Sequence, residues 1–170
     1  MILVTGATGL NGSELVRRLS AKGIPSRALV RNPAKAQPFA SLRNVEVVEG
    51  DMARPDSLTD ALRGVERAML ISSSDQTMVE VQSSFIDAAR RTGVQHIVKL
   101  SGILPELDSP FRFARMHAEI EKRLEASGVA SPICAQASSC PRTFVRSRRS
   151  CQGRHGAADG GCQDRLRRHR

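Results

Sequence analysis

A glycine-rich turn near the N-terminus most constrains what this chain can fold into. An apolar run at residues 1–4 precedes the turn, and a segment with helical spacing at residues 13–19 follows it. In a strand–turn–helix unit, three glycines permit a tight turn, close approach of a pyrophosphate and close packing of the helix on the strand. The pattern predicts a dinucleotide site whose phosphates lie at the helix N-terminus, and a purely structural turn is the alternative. The residues predicted to bind there are Gly6, Ala7, Thr8, Gly9, Leu10, Asn11 and Gly12.

Strand-like apolar runs and helical segments alternate along residues 1–129. The predicted strands are 2–5, 25–30, 45–49, 66–73 and 95–101. The predicted helices are 10–22, 33–42, 55–63, 78–92 and 110–127. Asn32 and Ser109 each precede a proline and are predicted N-caps. The alternation predicts an α/β fold, a Rossmann-like doubly wound parallel sheet with strand order 3-2-1-4-5, truncated after about five strands.

Small, polar or charged residues follow the predicted strands. Ligands of parallel α/β sheets bind at the carboxyl ends of the strands, so these residues are candidates for one shared site. For Asp51 the sequence leaves two interpretations open, a contact near the adenine and a structural turn or N-cap. The predicted cofactor contacts at the strand ends are Arg31, Asp51, Met52, Ser72, Ser73 and Ser101.

Arg31 indicates which dinucleotide the site prefers. It lies 19 residues after Gly12, where an NAD-selective site usually carries an acidic residue for the ribose 2′-hydroxyl. A guanidinium pairs with a 2′-phosphate, whereas a carboxylate would repel it. The sequence therefore predicts that NADP(H) is preferred over NAD(H), with a solvated arginine at a strand end as the alternative.

The charge distribution divides the chain into two parts. Residues 130–170 hold nine arginines, all four cysteines and only two acidic residues, while residues 1–129 carry a net charge of +2. Hydrophobic periodicity is lost after residue 129, so we predict a Rossmann domain at 1–129 and a disordered Arg/Cys-rich tail at 130–170. The arginine clusters lack interleaved aromatic residues and the cysteine spacing is irregular. These features predict no specific nucleic-acid partner and no metal site.

No apolar run reaches the length of a membrane span, and the first strand begins at residue 2, which leaves no room for a signal peptide. The sequence therefore predicts a cytoplasmic protein with no membrane partner.

Residues 1 to about 129 resemble the NmrA-like branch of the atypical short-chain dehydrogenases. The motifs that carry the resemblance are residues 5–12, Val30-Arg31, Glu49-Gly50-Asp51, and residues 97–102, 117–122 and 126–128. The resemblance implies an NAD(P)H-binding protein similar to oxidoreductases that pass a hydride to a small acceptor such as a quinone. The family also includes NADP-binding redox sensors that regulate transcription without turnover. The resemblance therefore implies redox sensing as the alternative function.

The chain departs from the wider dehydrogenase family because it contains no tyrosine, so the usual Tyr-x-x-x-Lys pair is absent. His117 and Glu121 have the same i, i+4 spacing on the corresponding helix and share a face. One hypothesis is that His117 lines the nicotinamide pocket and relays a proton as a catalytic residue. The alternative is a His–Glu pair over the sheet edge. Strand alternation places Lys99 and Ser101 on one face of the fifth strand.

The resemblance also calls for a sixth strand of the type aromatic-Thr-x-Leu-Arg-Pro after residue 129, which the printed sequence lacks. One permitted choice of codons for residues 131–151, read two bases later, encodes Thr-His-Leu-Arg-Pro-Gly-Ile-Phe-Met-Pro, which has the form of that strand. We therefore hypothesise a single-base frame change near codon 130. The truncated chain is then expected to bind the dinucleotide weakly and to be inactive.

Overall fold

The computed structural model describes residues 1–102, 104–131, 133–135 and 144–146. The first five strands of the sheet are parallel, and their order, β3-β2-β1-β4-β5, confirms the predicted one. Their bounds are Ile2–Val4 (β1), Ser26–Val30 (β2), Val45–Glu49 (β3), Arg67–Leu70 (β4) and His96–Ser101 (β5). The predicted Rossmann-like α/β sheet is thus confirmed.

Two three-residue strands extend this sheet beyond the predicted truncation after β5. Ile133–Ala135 (β6) pairs parallel to β5, and Phe144–Arg146 (β7) pairs antiparallel to β6. Hydrophobic periodicity is lost after residue 129, so the sequence predicted neither strand. Most of the predicted disordered tail, and with it the hypothesis of a frame change, lies outside the described residues.

Four α-helices and one 3-10 helix connect the parallel strands. The α-helices are Leu10–Ala21 (α1), Asp56–Ala61 (α2), Met78–Arg91 (α3) and Arg112–Ala126 (α4). None of the helices in the described ranges is both long and apolar enough to cross a membrane.

The predicted helix at 33–42 forms instead as a 3-10 helix over Pro33–Phe39. Pro38 lies inside it and has no N–H to donate, which disfavours a regular α-helical ladder. The predicted cap is confirmed, because Asn32 Oδ1 accepts a hydrogen bond of 2.9 Å from the Ala34 N–H.

The start of α4 corrects the second predicted cap. The helix begins at Arg112, with Phe111 in an extended conformation at the N-cap position. Ser109 Oγ accepts a 3.3 Å hydrogen bond from the Phe111 N–H, so it stabilises the turn before the helix rather than the helix itself. A proline at position 110 was therefore a signal for this turn and not for the first helical residue.

Strand alternation divides the core into two clusters on opposite faces of the sheet. Leu3, Leu70 and Ile97 point toward α2, α3 and α4, while Val4 and Val30 point toward α1 and the 3-10 helix. Both faces of β1 are thus buried, as expected for the central strand of a parallel sheet. The carboxyl ends of the strands then lie together at one edge of the sheet.

Candidate functional site

The glycine turn after β1 leaves no room for a Cβ at Gly6 or Gly12. Gly6 has φ +57°, and a Cβ there would lie 2.9 Å from the Ile71 carbonyl oxygen. A Cβ on Gly12 would lie 2.2 Å from the Gly6 carbonyl oxygen, so α1 contacts the turn through backbone alone. The Gly9 N–H donates to the same oxygen at 2.9 Å. The turn lies directly at the start of α1, which is where Rossmann folds place the phosphates of a bound dinucleotide.

Thr5 fixes the turn to the neighbouring strand. Its side chain is fully buried. Its Oγ1 accepts a 2.7 Å hydrogen bond from the Ile71 N–H and lies 2.7 Å from the Ile71 carbonyl oxygen, to which the hydroxyl donates. The end of β1 is thereby held against the residue that follows β4. Sequence reasoning placed Thr5 at a strand end but did not identify this role.

A cleft of about 200 Å³ lies at the carboxyl ends of β1–β4. The structure brings together seven of the predicted cofactor residues in its walls: Gly6, Thr8, Arg31, Asp51, Met52, Ser72 and Ser73. Four others, Gly9, Leu10, Asn11 and Gly12, belong to the turn and the first residues of α1 rather than to the walls. Ala7 is fully buried beneath the turn, and Ser101 lies elsewhere, in the buried cluster described below.

Asp51 forms the structural turn that its sequence position allowed, and it also lies in the wall of the cleft. Its Oδ1 accepts a 3.0 Å hydrogen bond from the Ala53 N–H, which is the geometry of an Asx turn. The same carboxylate therefore shapes the loop after β3 and is available to a ligand.

A side cleft of about 280 Å³ adjoins the Arg31 end of the site. Its walls include Thr8, Arg31, Asn32 and Lys35. Two cations and a hydroxyl around one depression suit a phosphate group. Sequence reasoning missed Lys35, although its position four residues after Arg31, in the helix that Asn32 caps, could have indicated it.

Asp75 adds a carboxylate that sequence reasoning also missed. Ser73 Oγ donates to Asp75 Oδ2 at 2.6 Å, and the Thr77 hydroxyl and N–H donate to Oδ1 at 2.7 Å and 2.9 Å. The hydrogen bond from Ser73 has the largest effect, followed by those from Thr77, and together they hold the pKa of Asp75 below its usual value. The carboxylate is thus ionised and fixed in the wall of the cleft.

A second cavity, of about 680 Å³, lies between the end of β5 and the start of α4. Its walls are mainly apolar and include Leu104, Phe111, Phe113 and Ala114, together with His117. Ser73 lines the first cleft and Ser74 lines this cavity, so the two spaces are neighbours across the segment that follows β4. This cavity is large enough and apolar enough for a small flat ligand.

Four polar side chains meet beneath this cavity, between β5 and α4. We call them the buried relay cluster: Lys99, Ser101, His117 and Glu121. Lys99 Nζ lies 2.7 Å from His117 Nδ1 and 3.2 Å from Ser101 Oγ, and Ser101 Oγ donates to a carboxylate oxygen of Glu121. His117 and Glu121 thus each contact β5 rather than each other. Sequence reasoning placed each pair on one face but did not bring the two pairs together.

Burial shifts both bases of the cluster. Burial, and then the nearby Lys99 charge, lowers the pKa of His117 to about 4. Burial lowers the pKa of Lys99 to about 8, and the Glu121 carboxylate opposes that shift. At neutral pH His117 is therefore neutral while Lys99 is mostly charged. An ammonium group can only donate, so Nδ1 is the acceptor and the proton of the neutral imidazole lies on Nε2.

The depressed pKa of His117 makes stability depend on pH. Between about pH 6.5 and 4 the unfolded chain protonates this imidazole while the folded chain does not, so acid favours unfolding. The contribution is complete above pH 6.5 and is lost as the pH falls through about 4. We expect the free energy of unfolding in urea to fall less steeply over this range in His117→Gln than in the unsubstituted chain. Equal slopes in the two proteins would contradict the assignment.

Several known proteins are similar to this chain over about three quarters of its length. Residues 1–139 match the NmrA-like family. The NAD(P)H azoreductase of Xenophilus azovorans is 38% identical over 130 residues, which cover 76% of this chain and 45% of that protein. Quinone oxidoreductase 2 of Escherichia coli (strain K12) is 41% identical over 133 residues, covering 76% of this chain and 46% of the enzyme.

A solved structure extends the comparison to a cofactor complex. The Citrobacter sp. triphenylmethane reductase complexed with NADP(H) matches with a TM-score of 0.70 and 32% identity, covering 78% of this chain and 48% of that one. The chain spans about half the length of the relatives it matches. The family match covers most of the chain and is consistent with the observed sheet and glycine turn. The chain therefore belongs to the NmrA-like family.

Proposed function

We propose that this chain binds NADPH in the cleft at the strand ends and supports hydride transfer to a small acceptor, such as a quinone, in the cavity beside His117. The observation that carries the proposal is the adjacency of the two spaces across Ser73 and Ser74. One space has a backbone cradle for phosphates and the other has apolar walls. Hydride transfer requires a dinucleotide and an acceptor to lie side by side in this way.

The chain's own residues suit the pyrophosphate and the 2′-phosphorylated adenosine of the dinucleotide. The turn at residues 6–12 would hold the pyrophosphate, because its three glycines leave the backbone open to close approach. Arg31 and Lys35 would hold a 2′-phosphate in the side cleft, which is the basis for proposing NADP(H) over NAD(H). Asp51 and Met52 would contact the adenosine. When bound, the reduced cofactor supplies a hydride.

The acceptor would lie in the cavity lined by Leu104, Phe111 and Phe113. Apolar and aromatic walls favour a flat, poorly hydrated ring over a sugar or an acid. His117 lines the same cavity, and its Nε2–H would donate to a carbonyl oxygen of that ring. The relatives named quinone oxidoreductase and azoreductase support an acceptor of this kind.

The experiment that tests the function has two parts on the same protein. Fluorescence titration with NADPH measures binding, and loss of NADPH fluorescence after addition of a benzoquinone measures turnover. Binding followed by slow oxidation of NADPH supports the proposal. Binding with no oxidation would overturn the oxidoreductase function of this chain. Both the frame-change hypothesis and the alternative function, an NADP-binding redox sensor, expect that result. Failure to bind NADPH would contradict both functions.

The Arg31→Ala substitution tests the preference for NADP(H). A charge-assisted hydrogen bond to phosphate contributes about 1.5–3 kcal/mol, so we expect Kd for NADPH to rise roughly tenfold to a hundredfold. Kd for NADH should hardly change, because NADH has no 2′-phosphate. Arg91→Ala is the matched control, since Arg91 lies exposed in the last turn of α3, far from the strand ends. Equal weakening of NADPH and NADH by Arg31→Ala would disprove the 2′-phosphate contact.

A further inference from the structure

We propose that Lys99 is the proton source for reduction of the acceptor, and that it delivers this proton through His117 to the cavity. The inference rests on the proposed function and adds a residue for which neither the glycine turn nor the family match specifies a role. It is carried by a buried lysine whose ammonium group contacts the one imidazole that lines the acceptor cavity within the described part of the chain. Each proton transfer would follow a contact within the buried relay cluster.

Lys99 occupies a position where an apolar residue would be expected. β5 alternates, and Ile97, Lys99 and Ser101 are buried on one face. The Lys99 side chain has no exposed surface at all. A charge in such a position is costly unless each donor has a partner. Structural packing alone would be served better by an aliphatic residue, which makes the lysine a candidate for function.

The three protons of the Lys99 ammonium group have three acceptors. They are His117 Nδ1 at 2.7 Å, Ser101 Oγ at 3.2 Å and the Leu100 carbonyl oxygen at 3.4 Å. The shortest of these contacts points to the imidazole. Because Ser101 donates its own proton to Glu121, its oxygen is free to accept from Lys99. The charged form of the lysine is thus held ready beside the base that it would protonate.

His117 connects Lys99 to the cavity. Nδ1 faces Lys99, while the ring lines the cavity, and Nε2 has no hydrogen-bond partner among the described residues. Gly102 makes this position possible, since a Cβ there would lie 2.7 Å from His117 Cδ2. The imidazole therefore accepts on the buried side and can donate on the cavity side, as a proton relay requires.

The acceptor receives a hydride and one proton. Two electrons reach the acceptor as the hydride of the reduced dinucleotide, which is oxidised, and the acceptor's carbonyl becomes an alkoxide or phenolate. That oxygen takes the proton from His117 Nε2, and His117 Nδ1 takes a proton from Lys99 Nζ. Lys99 is left as a neutral amine and His117 with its proton on Nδ1. After the product leaves, water in the cavity protonates His117 Nε2, and the Nδ1 proton returns to Lys99. A lysine whose pKa is about 8 suits this exchange near neutral pH, and the facing charge of Glu121 favours its return to the ammonium form.

Heteronuclear NMR of the histidine side-chain nitrogens tests the contact without any turnover. In the unsubstituted chain we expect His117 to be neutral, with Nδ1 unprotonated and Nε2 protonated. In Lys99→Met we expect a mixture of tautomers and a higher pKa for His117, because the cationic neighbour has been removed. Lys122→Met is the matched control, since Lys122 is the exposed residue next to Glu121 on α4. An unchanged tautomer and pKa in Lys99→Met would overturn the proposal.

Single-turnover oxidation of NADPH by a benzoquinone tests the transfer itself. General acid catalysis typically contributes 100-fold or more, so we expect Lys99→Met to slow the reaction on the order of 100-fold with unchanged Kd for NADPH. Lys99→Arg should keep the tautomer of His117, because it keeps a cationic donor, yet remain as slow, since a guanidinium does not release its proton. Rescue by Lys99→Arg would show a structural role and overturn the relay.

These outcomes separate the relay from the proposed function. Turnover that is equally fast in Lys99→Met and in the unsubstituted protein, with the same pH profile, overturns the relay and leaves the oxidoreductase function intact. NADPH binding without turnover in the unsubstituted protein overturns the function, and the relay with it.

Discussion

Gly12→Ala is expected to lower the free energy of unfolding by about 3 kcal/mol, the upper part of the range for inserting a methyl group into a tightly packed site. The new Cβ would lie 2.2 Å from the Gly6 carbonyl oxygen and 2.8 Å from its carbonyl carbon. Both are backbone atoms of the turn, so neither can rotate away as a side chain would. Relief requires α1 to move off the strand, which would open the phosphate cradle. We therefore also expect NADPH binding to be lost.

Gly64→Ala provides the control for Gly12→Ala. Gly64 has φ +72°, but a Cβ there would meet nothing within 4 Å. Its replacement costs only the left-handed backbone conformation, about 1 kcal/mol, and leaves the site untouched. Urea unfolding and NADPH titration of the two variants measure the difference. Equal destabilisation, or full NADPH binding by Gly12→Ala, would show that α1 does not pack on the turn as described.

Thr5→Val is expected to have the second largest effect, a loss of about 2 kcal/mol of unfolding free energy. Valine keeps the shape of threonine but cannot accept the Ile71 N–H or donate to the Ile71 carbonyl oxygen. A buried donor without a partner costs more than the hydrogen bond itself contributes, because it has lost water as well. The end of β4 should loosen, and NADPH binding should weaken because Ile71 and Ser72 line the cleft.

Thr59→Val is the matched control, since Thr59 is exposed on α2. A surface change of this kind is expected to alter stability by no more than about 0.5 kcal/mol. Hydrogen exchange of the Ile71 amide gives a local readout, because Thr5→Val should accelerate exchange there and Thr59→Val should not. A protected Ile71 amide in Thr5→Val would contradict the role assigned to the hydroxyl.

The sequence predicted those parts of the fold that depend on local patterns. The glycine turn, the five predicted strands and the Asn32 cap each depend on a few consecutive residues, and their periodicity or spacing identifies them. The order of the strands followed from the general behaviour of alternating strands and helices. Placing Arg31, Asp51 and Ser73 in one cleft needed only the rule that carboxyl ends of parallel strands share an edge.

The buried relay cluster depends on tertiary packing and could be predicted only in halves. Strand alternation puts Lys99 and Ser101 on one face, and helical spacing does the same for His117 and Glu121. The rotation of α4 over β5 decides which residues meet, and it is set by packing along both elements rather than by either pattern. Asp75 was missed for a similar reason, since its role depends on the fold of an exposed turn with Ser73 and Thr77.

The pairing of β1 with β4 has a consequence for the chain during its synthesis. β1 is made before β4, yet it hydrogen-bonds to β2 on one edge and to β4 on the other. Thr5 and Ile71, which complete the cleft, are 66 residues apart. At a translation rate of roughly 5–20 residues per second, β1 spends several seconds with one edge unpaired. Until Ile71 has been added and has left the ribosome, the nascent chain exposes an apolar strand edge and has no cleft to bind a nucleotide.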